Sequence, residues 1–72
     1  MEIEMTGIQK AIDMAGGANP LATKLGVSHQ AVYVWQRNGW VPANRALEIE
    51  KLFDIPRVEL FKPELTALFA SN

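Results

Sequence analysis

Ser28, His29, Gln30, Tyr33, Gln36 and Arg37 fall within ten consecutive residues that contain no acid. Such side chains recognise rather than react. A glutamine amide can pair with two positions on adenine, an arginine fork fits guanine or a phosphate, and histidine and tyrosine can donate to base edges or backbone oxygens. Val34, lying among them, is of the type that meets a thymine methyl. The same residues make poor catalytic sets. Ser28 and His29 are adjacent and diverge on a helix, so they cannot serve as a nucleophile and its base. Glu48 and Glu50 likewise point to different sides of a helix. One histidine and no cysteine are too few for a structural zinc, and no disulfide framework is possible. There is no glycine-rich phosphate loop. The expectation is a binding protein rather than an enzyme, with no cofactor and no small-molecule ligand.

These groups are useful only if a helix holds them outward. Ser28 is an N-cap residue, and Val27 before it is placed to pack on Val32 as a hydrophobic staple. The helix it opens is predicted to run to about Arg37 or Asn38. With successive residues rotated by about 100°, Ala31, Val32 and Trp35 mark its inward side. Tyr33, Arg37 and Gln30 then face outward, flanked by His29 and Gln36, with Val34 at the boundary. Upstream, Asn19-Pro20 reads as the cap and first residue of a short helix, with Leu21, Ala22 and Leu25 inside and Gly26 at its end. Thr6-Gly7-Ile8-Gln9 is a capping-box pattern, Gln9 being able to reach back to the cap. It opens a helix over 7–15 that buries Ile8, Ala11, Ile12 and Ala15 and stops at Gly16-Gly17.

Downstream, Gly39 breaks the chain and Pro42 permits a fourth helix. Its predicted inner side is Ala46, Leu47, Ile49 and Phe53, with Arg45, Glu48 and Lys51 in water. Trp40 fits either a lid over the junction of the third and fourth helices or a surface that stacks on a DNA sugar. Arg57 to Phe61 allows one more helical turn, and Pro63 can open a last short helix through Leu68. Residues 1–62 are expected to form one domain and 63–72 a helical tail. No alternating strand pattern of useful length occurs, so the fold class is all-α, a compact bundle of about five short helices.

The chain has 72 residues, 49% of them apolar, and a formal net charge of −1. Chains below about 70–80 residues often need a staple, and self-association is the one left here. Leu60, Phe61, Leu65, Leu68 and Phe69 either serve it or cover the first and fourth helices within one subunit. Charge is unevenly spread. Asp13 is the last acid before Glu48, and the stretch between carries Lys24, Arg37 and Arg45, so one face of a slightly acidic protein could be cationic. The N-terminus lacks the basic flank and apolar stretch of a secretory leader, and nothing approaches the roughly 20 apolar residues of a membrane span. A cytoplasmic chain, in the bacterial cytosol or nucleoid, is expected.

Two short helices joined through Leu25-Gly26-Val27-Ser28 suit a helix-turn-helix. Ala22 supplies the small residue at the crossing, Gly26 the turn, and Val27, Val32 and Trp35 the apolar locks. The run NPLATKLGVSHQAVYVWQR over 19–37 resembles the helix-turn-helix of Cro-type phage repressors, most of all the short Cro/YdaS-type prophage regulators. The likeness rests on the LAxxLGVSxQAVxxW pattern, on Ala15-Gly16-Gly17 before it, and on Val41-Pro42-Ala43 and Arg45 after it. It extends over about residues 7–61 and leaves the segment after Pro63 outside.

The resemblance implies a lambda-repressor/Cro-like helical domain that binds operator DNA as a homodimer and regulates phage or prophage genes. By position it puts Ser28, His29, Gln30, Tyr33 and Val34 at base-facing places, although Val34 stands where a polar residue is often found. It puts Asn19, Lys24, Arg37, Asn38, Asn44 and Arg45 at places suited to phosphates. Gln36, on the flank of the same helix, is expected beside a phosphate, and Arg37 is assigned to either a base or a phosphate. Arg45 could instead pair with Glu48 one turn on. The expected partner is a pseudo-palindromic double-stranded operator. The alternative is a helical protein-interaction module, a toxin-antitoxin component without strong DNA binding.

Overall fold

The computed structural model describes residues 5–62. Four α-helices follow one another, α1 (Gly7–Ala15), α2 (Ala18–Leu25), α3 (His29–Asn38) and α4 (Ala43–Phe53), and a 3-10 turn over Arg57–Glu59 succeeds them. Among the described residues there is no strand, and no described helix is long and apolar enough to cross a membrane. Among the described residues the fold is all-helical as expected, with four α-helices and one 3-10 turn where the sequence predicts about five short helices for the whole chain. The helix expected after Pro63 lies outside the described residues, as do Leu65, Leu68 and Phe69.

Local chemistry sets the helix ends. The Thr6 hydroxyl accepts from the Gln9 N–H at 3.1 Å and caps α1. Only half of the expected capping box forms, because the Gln9 side chain turns away along the surface. It donates to Asp13 Oδ1 at 3.1 Å and accepts from Gln36 of α3 at 2.8 Å. The start of α2 also differs from expectation. Gly17 is its N-cap, its carbonyl accepting from the Leu21 N–H at 3.2 Å, so Asn19 and Pro20 already lie in the first turn. Proline is harmless there because the first N–H groups of a helix have no intrahelical partner. The Asn19 carbonyl accepts from the Thr23 hydroxyl.

Packing follows from where the apolar residues fall. Ile8, Ala11 and Ile12 of α1 meet Leu21, Ala22 and Leu25 of α2, Val32 and Trp35 of α3, and Ala46 and Ile49 of α4 in one buried cluster. Every buried side chain in it is apolar. Leu47, expected inside, is 41% exposed. Ala46 and Ile49 are both fully buried, and the 100° step per residue turns Leu47 to nearly the opposite side from Ile49.

The segment after α4 is also part of the core. Leu60 is fully buried, Phe61 is buried, and the Leu60 carbonyl accepts from the Val41 N–H at 2.8 Å. These two residues take the second of their two expected places, packing within one subunit. Two ion pairs hold this segment down. Lys10 Nζ is 2.6 Å from Glu59, and Arg57 reaches Glu50 through Nη2 at 2.8 Å and Nε at 2.9 Å.

Gly7 marks the tightest approach. A Cβ at this position would stand 2.5 Å from the Glu59 carbonyl oxygen, which is backbone and cannot swing aside. Gly7→Ala is expected to destabilise the domain by about 1–3 kcal/mol, read from a lower denaturant midpoint. An unchanged midpoint would mean that the 3-10 turn does not press on α1 in solution.

The Arg57 side-chain hydrogen bond holds the Glu50 carboxyl below its ordinary 4.5. Desolvation opposes this, and the Arg57 backbone N–H and charge add to the lowering. A carboxyl depressed in the folded state stabilises above its unfolded value, and that contribution disappears as pH falls through the folded one. Thermal unfolding followed from neutral pH downward should therefore show Glu50→Gln less stable than the parent at neutral pH. The difference should shrink at pH values below 4.5.

Candidate nucleic-acid interface

The connection between α2 and α3 is three residues long, and its geometry decides where α3 points. Gly26 adopts φ 71°, a left-handed conformation that costs a residue with a Cβ about 1–2 kcal/mol. Nothing lies within 4 Å of a Cβ built there, so backbone conformation alone calls for glycine. The Gly26 and Val27 N–H groups donate to the Thr23 and Ala22 carbonyls at 3.3 and 3.0 Å. Ser28 then caps α3, its hydroxyl accepting from the Ala31 N–H at 3.2 Å. Val27 and Ala31 are partly buried against the core, while Val32 and Trp35 are buried within it.

With Val32 and Trp35 fixed inward and Ala31 partly covered, the remaining positions of α3 face out. His29, Gln30, Tyr33, Val34, Gln36, Arg37 and Asn38 are all exposed. His29 and Tyr33, one turn apart, meet edge to face with ring centres 5.9 Å apart and planes at 84°. Ser28 is exposed at the head of the helix. Its oxygen serves the cap, leaving the hydroxyl hydrogen for any further partner.

The structure does not bring every expected contact residue to this face. Gln36 is turned toward α1, where its amide donates to Gln9. Arg45 reaches the other way. Its Nη1 donates to the Leu25 carbonyl at 3.1 Å and to Glu48 at 2.9 Å. The pairing with Glu48 was legible from their spacing. The bond to Leu25 was not, because it requires α4 to pass the end of α2, where the last carbonyls have no helical partner. Lys24 lines a shallow groove of about 280 Å³ between α2 and α4, with Leu25, Glu48, Lys51 and Leu52. Asn19 and Asn44 are exposed in the first turns of α2 and α4.

Trp40 is half-buried, and Lys62 Nζ lies 5.3 Å from its ring centre, a distance suited to a cation–π contact. This sets Trp40 against the segment that follows the 3-10 turn.

Residues 8–63, more than three quarters of the chain, match the family described as bacterial toxin YdaS. The chain belongs to the YdaS toxin family. Comparison with curated proteins and with solved structures gave no match. In this YdaS-family chain the matched segment takes in α2, α3, their connection and α4 whole.

Arg45 ties α4 to the end of α2 and so fixes the base from which α3 projects. Arg45→Ala is expected to lower unfolding stability by about 1–2 kcal/mol through loss of the charge-assisted bond to the Leu25 carbonyl. Glu48→Ala should cost less, about 0–1 kcal/mol, because its ion pair is exposed. Equal losses in the two variants, compared by chemical denaturation, would remove the role assigned to the carbonyl bond.

Proposed function

We propose that this YdaS-family protein is a sequence-specific, double-stranded DNA-binding transcriptional regulator, most in keeping with a Cro-like phage or prophage repressor. In this reading α2, its three-residue connection and α3 form a helix-turn-helix, and α3 enters the major groove. The observation that carries it is the outer face of α3. Gln30, Tyr33 and Arg37 are exposed along it, the core makes no use of them, and the chain holds no acid from Met14 to Leu47. A surface of amide, phenol and guanidinium groups without carboxylates matches base edges and phosphates.

The net charge of −1 leaves little general attraction to DNA, and a second copy on the same operator offsets that. Two copies would read half-sites about 34 Å apart on a pseudo-palindrome. Occupying a site near a promoter would then block polymerase.

The word toxin in the family's description favours a second reading, a helical module that acts on a protein partner. The α3 face suits this less well. Its exposed residues are mostly polar, whereas protein-binding surfaces centre on buried aromatic and apolar anchors.

A gel-shift or anisotropy titration with a duplex selected from a random pool tests the proposal. Binding should weaken steeply as salt is raised. Gln30→Ala and Tyr33→Ala should each lose about 1–3 kcal/mol on the selected site while unfolding at the parent's temperature. No loss at either position would falsify the assignment of α3 as the reading helix. Indifference to any duplex, with a protein partner captured and bound stoichiometrically, would establish the second reading.

A further inference from the structure

We infer that the half-site is read through A·T pairs, with Val34 and Tyr33 packing on thymine methyl groups and Gln30 pairing with adenine. This rests on the DNA reading of α3 and adds which bases the face selects. Gln30, Tyr33, Val34 and Arg37 recur at the spacing of one helical face. Taking Val32 and Trp35 as inward, all four lie within about 60° of the outward direction.

Two of the four are largely apolar and left uncovered. Tyr33 is 50% exposed and Val34 41%. Neither residue is there to help form the helix, since β-branched and aromatic side chains lose rotamer freedom in one. A lone exposed valine is ordinary. Here it follows in sequence Tyr33, whose ring meets His29 edge to face. Tyr33 and Val34 thus present two uncovered apolar groups on the outer face, with Gln30 one turn before them.

Among the four bases only thymine presents an apolar group in the major groove, its 5-methyl, and the adenine paired with it presents the N6 and N7 pattern that a glutamine amide matches. Cytosine's N4 donor is the feature best met by a carboxylate, and neither α2 nor α3 contains one. The paired acceptors of guanine are matched two at a time on this face by Arg37, in the C-terminal turn. The face therefore selects A·T at its centre and tolerates G·C at one end.

The test uses the full chain and a selected duplex at one fixed salt concentration, with deoxyuridine replacing each thymine in turn. Uracil keeps every hydrogen bond of thymine and lacks only the methyl. Binding should weaken about fourfold at one or two positions in each half-site, the equivalent of about 0.8 kcal/mol per buried methyl. In Val34→Ala, thymine and uracil should bind alike at one of those positions. Salt-sensitive, sequence-specific binding that ignores uracil at every thymine would overturn this inference and leave the DNA reading standing. So would Val34→Ala that keeps the full uracil penalty throughout. Absence of duplex binding would instead overturn the parent reading, and this one with it.

Discussion

No helix among the described residues is long enough to stand alone. They run from eight to eleven residues, below the roughly 12–15 at which an isolated helix becomes even marginally stable in water. Each exists because its inner side joins the shared apolar cluster. That cluster contains no polar side chain, so it holds the helices by shape and area alone. The consequence for α3 is geometric. Val32 and Trp35 cannot rotate away from Ala22 and Leu25 without exposing the core, and the opposite side of α3 is therefore held outward.

Polar contacts refine this arrangement at its edges. Gln36 to Gln9 to Asp13 runs from α3 along α1, and Arg45 to Leu25 joins α4 to the end of α2. These bonds sit on different flanks of the pair α2 and α3. Neither draws on Gln30, Tyr33, Val34 or Arg37. The groups that brace the helices and the groups proposed to read DNA are thus different sets, which is why a single mutation can be expected to affect one without the other.

Local punctuation was the part of the fold most legible in the sequence. Thr6, Gly16, Gly26, Ser28 and Gly39 start or stop helices where their types suggest, because caps and left-handed ends depend on one or two residues. The start of α2 was displaced because Asn19-Pro20 is a good cap pattern, yet Gly17 could adopt the cap conformation two residues earlier. Leu47 is apolar yet faces out, because hydrophobicity does not report the angle that Ala46 and Ile49 impose. Leu60 and Phe61 were ambiguous for a different reason: the Val41 N–H that bonds the Leu60 carbonyl is about twenty residues away, and no periodicity reports a contact at that distance. On the proposed interface, exposure of the α3 residues followed from helical phase. The diversion of Gln36 and Arg45 depended on neighbours from other helices, which a linear reading does not supply.

The overall charge is a poor guide to this surface because charges are spent unevenly. Three of the acids past α3 are used on the fold itself: Glu48 meets Arg45, Glu50 meets Arg57, and Glu59 meets Lys10. Those pairs neutralise one another on the α4 and 3-10 side of the molecule. Over α2 and α3 the balance is different, since neither helix carries a carboxylate, although Lys24 lines the groove to α4 with Glu48 while Arg37 is exposed on α3. At an ionic strength near that of a cell, charges more than about 8 Å apart are largely screened from each other, so a ligand near α3 senses this local excess rather than the sum. Two cations per copy still give only a shallow electrostatic attraction by the standard of nucleic-acid binders. On the proposed reading, discrimination must then come from close fit of Gln30, Tyr33 and Val34 to the groove, and affinity from engaging two half-sites at once.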